Sequence, residues 1–217
     1  MSLTLYGYWR SSATYRVRIA LNVKEIPYAY QPVSLITDGG EQHQAEYIKL
    51  NPSQLVPTLV DDDTDIQLNQ SLAIIEYVDE RYDTGIKLLP EHRIERARVR
   101  AMAMDLACDV QPLGNLRVLQ KLQTDFGAND AQVAAWHVHW MEQGLEALEK
   151  RIAHKAGKYA LGSELSLVDI MLVPQVYNAL RYEMDMTAYP LVNRIYQNCQ
   201  KLAAFQRAAP ENQSDAP

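Results

Sequence analysis

Two kinds of patterning meet in this 217-residue chain, and the place where one gives way to the other limits the fold more than any other feature. Up to about residue 82, short β-rich runs alternate with helical ones; from about residue 91 the pattern is helical almost throughout. Between them, residues 83–90 read Asp-Thr-Gly-Ile-Lys-Leu-Leu-Pro, with the glycine and proline of a linker. The first part opens with a strand from Leu3 to Tyr8, then a helix from Ser11-Ser12 and a strand from Tyr28 to Val33. A short helix from Gln42 stops at Asn51-Pro52. A strand from Leu55 to Val60, its hairpin partner from Ile66 to Leu68 and a helix from Asn69-Gln70-Ser71 to about Tyr82 complete it. That order, β-α-β-α-β-β-α, requires a sheet with a parallel first half and an antiparallel second half.

In the second part, Arg93 to about Leu122 is helical with a kink predicted at Gln111-Pro112, and Asp130 to about Ala153 is a second long helix. Ser166-Leu167-Val168-Asp169 is a capping box, opening a helix that carries Pro174. Residues 91–217 are expected to form one all-helical domain, with a loose polar tail from Pro210. No apolar run approaches the ~20 residues that span a bilayer, and no signal-peptide pattern opens the chain, so the cytoplasm is the expected compartment. A net charge of −6 does not favour nucleic acid or an acidic membrane. Cys108 and Cys199 lie far apart with no CxxC, which argues against a disulfide framework or a zinc site. His137 and His139 point to different helix faces, and Asp61 to Asp65 lacks the glycine and glutamate of a calcium loop, so no metal site is expected.

The stretch Trp9-Arg10-Ser11-Ser12-Ala13-Thr14-Tyr15-Arg16-Val17-Arg18-Ile19-Ala20-Leu21 is the candidate centre of function. A strand-to-helix turn lined with hydroxyls offers unpaired N–H groups and the positive end of a helix dipole, which suits an anion. Thr14, Arg18 and Asn22 form a polar stripe on the following helix. Arg16 falls on the apolar arc, where a guanidinium calls for a carboxylate partner. Ser11 also reads as a plain N-cap, Val56-Pro57 as a proline starting an edge strand, and Gln70-Ser71 as an ordinary helix cap.

With these residues read, the chain resembles the zeta-class glutathione transferases, also known as maleylacetoacetate isomerases. Their serine-serine-cysteine turn and aromatic-Arg-Val-Arg-Ile-Ala-Leu helix are matched from Ser11 to Leu21, except that Ala13 stands in place of the cysteine. The likeness continues through Asn51-Pro52, Val56-Pro57-Thr58-Leu59, Gln70 to Tyr77, Gln111-Pro112-Leu113 with Asn115-Leu116, Leu172 to Val176, Tyr189-Pro190 and Pro210-Glu211-Asn212-Gln213. It implies the glutathione transferase fold: an α/β thioredoxin-like domain over residues 1–82 that binds glutathione, and an all-α substrate domain over 91–217. It also implies a homodimer, and glutathione-dependent isomerisation of maleylacetoacetate to fumarylacetoacetate in tyrosine breakdown. Ala13 makes cysteine-based thiol transfer unexpected.

By the same resemblance the Ser11 hydroxyl donates to the glutathione sulfur; Ser12 beside it and Arg10, which adjoins the serine turn, complete the catalytic candidates. A free thiol titrates near ~8.5, and holding it as thiolate at neutral pH needs roughly 2.7 kcal/mol. A helix dipole supplies about 0.3–1 kcal/mol, so a hydrogen bond of about 1.5–3 kcal/mol is also required. Capping and thiolate donation compete for one hydroxyl, and Ser12 is expected to relieve Ser11 of the cap. A cis Val56-Pro57 bond would turn the Val56 main chain toward the peptide of glutathione. Gln70-Ser71 would take the γ-glutamyl carboxylate and Gln54 would assist at the glycyl end. The small dicarboxylate substrate would meet Arg10, Gln111, Asn115, Arg117 and Arg181. Maleylpyruvate isomerisation, general conjugation, and a non-catalytic binding or stress role are the alternatives. Retention on immobilised glutathione separates the last from the others.

Overall fold

The computed structural model describes residues 2–217. It divides into two compact units: one runs up to Lys87 and takes up Lys201–Pro217, and the other is Leu88–Gln200.

The first unit is built on a four-stranded sheet of β1 (Leu3–Gly7), β2 (Ala29–Pro32), β3 (Thr58–Asp61) and β4 (Ile66–Asn69), in the order β2-β1-β3-β4. β1 pairs parallel to β2 with Leu5 opposite Tyr30, and antiparallel to β3 with Leu5 opposite Leu59. β3 and β4 form the expected hairpin, with Leu59 opposite Leu68. This is the thioredoxin-like arrangement that the order of elements requires. α1 (Ser12–Val23), α2 (Ala45–Leu50) and α3 (Ser71–Arg81) complete it. Alternation buries Leu3 and Leu5 on one side of β1, and α1 and α3 contribute Val17, Leu21, Ile74 and Val78 to the buried core.

At the end of α1, Lys24 is fully buried, and its Nζ lies 3.0 Å from Asp79 Oδ1 on α3. Arg16, also buried, donates from Nη1 to Ser71 Oγ at 3.1 Å.

The polar stripe of α1 does not face solvent. Arg18 Nε donates to Ala208 O at 2.9 Å and Asn22 Nδ2 to Ala204 O at 3.1 Å, so α9 (Ala203–Ala208) lies along it. The expectation of a helical domain running to residue 217 is therefore corrected: the last stretch returns to the first unit because the stripe offers donors that its carbonyls satisfy. The tail is likewise tied down, with Gln213 Nε2 donating to Ala209 O at 2.8 Å and Asn212 Nδ2 to Gln206 O at 2.7 Å.

The second unit is helical: α4 (Arg93–Met104), α5 (Leu116–Phe126), α6 (Asp130–Ile152), α7 (Leu167–Arg181) and α8 (Pro190–Cys199). Where one kinked helix was expected from Arg93 to Leu122, α4 widens into a π turn at Asp105–Val110 and tightens into a 3₁₀ turn at Gln111–Gly114. α5 then starts afresh behind an Asn115 cap, because Pro112 has no N–H to carry the ladder through. α7 is buried from Leu167 to Val176 and forms the centre of the unit. Its predicted capping box is present: Asp169 Oδ2 accepts from Ser166 N at 2.8 Å, while Oδ1 accepts from Ala160 N at 2.8 Å. Among the described residues, no helix is long and apolar enough to cross a membrane.

Candidate functional site

β1 delivers the chain to the serine turn through Gly7. A Cβ built there would lie 2.2 Å from Thr14 Cγ2, so only glycine lets the first turn of α1 sit this close to the strand end. Ser11 N donates to Tyr8 O at 3.0 Å, which closes a turn with Trp9 and Arg10 at its corners.

Ser11, not Ser12, is the N-cap: its Oγ accepts from Thr14 N at 3.2 Å. The expected division of labour between the serines is thus corrected, and hydroxyl chemistry explains why none is needed. A hydroxyl has two acceptor lone pairs and one proton, so the cap occupies a lone pair and leaves the proton free to donate. Polarisation by the accepted N–H makes it a better donor. Ser12 is the first residue of α1, half-buried beside it. Arg10 is half-buried, with its guanidinium carbon 5.4 Å from the Trp9 ring centroid.

The Val56-Pro57 bond is cis. The loop leading to it is organised by Asn51, which the sequence marked only as a helix stop. Buried Asn51 donates from Nδ2 to Leu55 O at 2.7 Å and accepts at Oδ1 from Ser53 N at 3.0 Å and from Asn69 Nδ2 at 3.1 Å. Tyr47 Oη donates to the same Leu55 carbonyl at 2.7 Å. Gln54 and Gln70 both hold left-handed backbone, at φ 55° and 69°, a conformation that costs a non-glycine residue roughly 1–3 kcal/mol and often accompanies a binding role. The Gln54 side chain meets His43 Nδ1 at 2.6 Å. Ser71 opens α3, and with its Oγ accepting from Arg16 its own proton remains to donate. The first unit therefore brings together two helix starts, each carrying a serine hydroxyl with a proton to give, and the second has a buried guanidinium behind it.

In the second unit, Gln111 and Asn115 lie at the two ends of the 3₁₀ turn. Asn115 Oδ1 accepts from Arg117 N at 3.2 Å, so its side-chain carbonyl caps α5. Arg117 is exposed on α5. Arg181, exposed at the end of α7, donates from Nη1 to Asn178 Oδ1 at 3.3 Å. His137 links these places: its ring stacks on Tyr182 at 4.2 Å and lies so close to Gly114 that a Cβ there would be 2.5 Å from Nε2. Trp136 Nε1, one residue earlier, donates to Leu113 O at 2.8 Å. The sequence showed of His137 only that it and His139 face different ways, and this bridging role was missed.

Burial, reinforced by the Arg181 charge, pushes the His137 imidazole down to about 4. Unfolded, it titrates near 6.5, so between those values the unfolded chain holds a proton that the folded one refuses. Stability on its account is full above pH 6.5 and is lost as pH falls through 4. The difference in unfolding free energy between wild type and H137N is expected to shrink by about 3 kcal/mol across that window. Urea denaturation at several pH values reads this directly, and a pH-independent difference would count against it.

Comparison with known proteins gives consistent matches. Residues 1–80 fit the family model described as Glutathione S-transferase, N-terminal domain, and residues 128–198 fit the C-terminal domain model. A probable maleylacetoacetate isomerase of Vibrio cholerae is 52% identical over 216 residues, covering 100% of this chain and 99% of that protein. A holo structure of maleyl pyruvate isomerase, a bacterial zeta-class glutathione S-transferase, superposes with a TM-score of 0.93 at 42% identity, covering 99% of this chain and 100% of that one. A maleylacetoacetate isomerase from Methylobacterium extorquens AM1 with bound malonate and GSH gives 0.92 at 38% identity, with 99% of each chain covered.

Proposed function

The chain belongs to the glutathione transferase family, in its zeta class, and from that premise we propose that it isomerises maleylacetoacetate to fumarylacetoacetate with glutathione as cofactor, in tyrosine breakdown. The observation that carries the reading is the Ser11 hydroxyl, which caps α1 with a lone pair and keeps its proton for an anion at the helix start. The donor set suits glutathione: Ser11 for the sulfur, the Val56 main chain beside the cis proline for the peptide, Gln70 and Ser71 for the γ-glutamyl carboxylate, and Gln54 for the glycyl end. Glutathione, when bound, supplies a thiol whose reversible addition to the cis double bond frees that bond to rotate.

Ser11 lowers the energy of the sulfur anion by donating to it, with the α1 dipole adding a smaller share. Arg10, Arg117 and Arg181 pair with the substrate carboxylates, where the planar guanidinium suits two-point contact. Gln111 and the Asn115 amide are further polar contacts for the substrate. A homodimer in the cytoplasm completes the reading. Maleylpyruvate is the second substrate to consider, favoured by the three arginines and by the likeness to a maleyl pyruvate isomerase structure.

Turnover of maleylacetone and of maleylpyruvate, each assayed with and without glutathione, tests the proposal. Glutathione-dependent formation of the trans isomer is expected, and turnover of neither cis acid would overturn it. Ser11→Ala is expected to slow the reaction roughly 10- to 100-fold, the loss of about one charge-assisted hydrogen bond. Unchanged steady-state rates in that variant would remove Ser11 from the mechanism.

A further inference from the structure

The serine turn is gripped from outside by the returning C-terminal segment. Trp9, a corner of that turn, has both main-chain groups occupied: its N–H donates to Asp215 Oδ2 at 2.9 Å and its carbonyl accepts from Arg18 Nη2 at 2.8 Å. Arg18 is itself fixed by Ala208 O, at 2.9 Å from Nε, and lies over the rings of Tyr15 and Tyr30. Asp215 is held in place by a braced segment, since Gln213 donates to Arg207 O at 2.9 Å and to Ala209 O at 2.8 Å, and the Tyr30 hydroxyl donates to Asp215 Oδ2 at 3.4 Å. A carboxylate 206 residues away in sequence thus ends on a main-chain N–H two residues before Ser11.

We propose that Asp215 is a positioning residue for the Ser11 hydroxyl, acting through the Trp9 peptide. The turn from Tyr8 to Ser11 is closed by a single hydrogen bond across it, and the peptide planes at its corners set where Ser11 and Arg10 point. Catalytic donors must be held within fractions of an ångström, and this is achieved by groups that lock their supports. The inference rests on Ser11 being the donor to the glutathione sulfur.

Charge and positioning act in opposite directions here, which makes them separable. Removing a negative charge from this unit favours a nearby thiolate and lowers the thiol titration midpoint, whereas misplacing the Ser11 hydroxyl raises it. The ultraviolet absorption of thiolate in the glutathione complex, titrated with pH, reads that midpoint without turnover. D215A is expected to raise it by about one unit, a tenfold loss of thiolate below the midpoint. D215N keeps a carbonyl acceptor for Trp9 N–H and is expected to leave the midpoint unchanged or lower.

A D215A midpoint equal to or below wild type overturns the inference, as does a D215N shift as large as that of D215A. So does a D215A chain that fails to fold, since Asp215 would then support the domain and not the turn. S11A separates the two levels: if it raises the midpoint and D215A does not, only the role of Asp215 falls; if S11A does not raise it, the reading of Ser11 falls and takes this one with it.

Discussion

Replacing Lys24 with methionine is expected to lower the unfolding free energy by about 3–5 kcal/mol, read as a reduced urea midpoint with an unchanged slope. Lys24 follows α1 with its side chain wholly removed from water, and Asp79 on α3 is nearly so. Methionine fills similar space but takes away the ammonium that lies 3.0 Å from the carboxylate and also donates to Ile86 O at 3.3 Å. The Asp79 charge stays buried while its main compensation goes. An exposed ion pair would contribute only about 0–1 kcal/mol, so the size of the loss separates the two descriptions. Since burying both charges costs nearly what their attraction returns, K24M combined with D79L is expected to recover most of the loss. A single variant within about 1 kcal/mol of wild type would show that water reaches this pair.

That pair also marks the limit of what local patterning reveals. The strands, the serine turn, the hairpin at Asp61–Asp65 and the Ser166 capping box are visible because each depends on residues a few positions apart, the range over which periodicity and turn chemistry operate. Lys24 and Asp79 lie 55 residues apart, and Arg18 and Ala208 lie 190 apart. Nothing local distinguishes a lysine that will be buried from one that will not. The stripe of Thr14, Arg18 and Asn22 reads as polar from its spacing alone, but its cover comes from Ala204 and Ala208, in a stretch that local patterning assigns to the second, helical domain.

The candidate site shows the same division. Ser11, Val56-Pro57 and Gln70-Ser71 could be picked out because a hydroxyl at a helix start or a proline before a strand carries its own chemistry. The groups that fix them could not. Asn51 has the local reading of a helix stop; Ser53 and Leu55 lie within four residues of it, but only the fold brings Asn69 to its side chain. His137 occupies a regular apolar position on α6, and its contacts with Gly114 and Tyr182 depend on two other elements. The division of roles between Ser11 and Ser12 needed no tertiary information; counting lone pairs and protons on one hydroxyl would have resolved it.

Asp169→Ala is expected to cost about 3 kcal/mol in the same denaturation experiment. The carboxylate accepts from the main-chain N–H groups of Ala160 and Ser166 and from the Ser166 hydroxyl, all buried. Unpaired, each would cost about 1–3 kcal/mol. The charge itself offsets part of that loss: burial pushes the Asp169 carboxyl up from 3.8 to about 6, so keeping it ionised at neutral pH costs about 3 kcal/mol, which alanine relieves. The same shift fixes a sign. Between pH 3.8 and 6 the folded chain holds a proton that the unfolded one has released, so the stability Asp169 contributes is full below the lower value and is lost as pH rises through the upper. His137 does the reverse over nearly the same interval and by a similar amount, so the two contributions nearly cancel there. Measured as differences from wild type, D169N should show stability rising with pH across that interval and H137N stability falling, whereas differences that do not vary with pH would show that neither group is desolvated as the structure implies. If D169A keeps the wild-type midpoint at neutral pH, the start of α7 is held by its apolar burial alone and the capping box is dispensable.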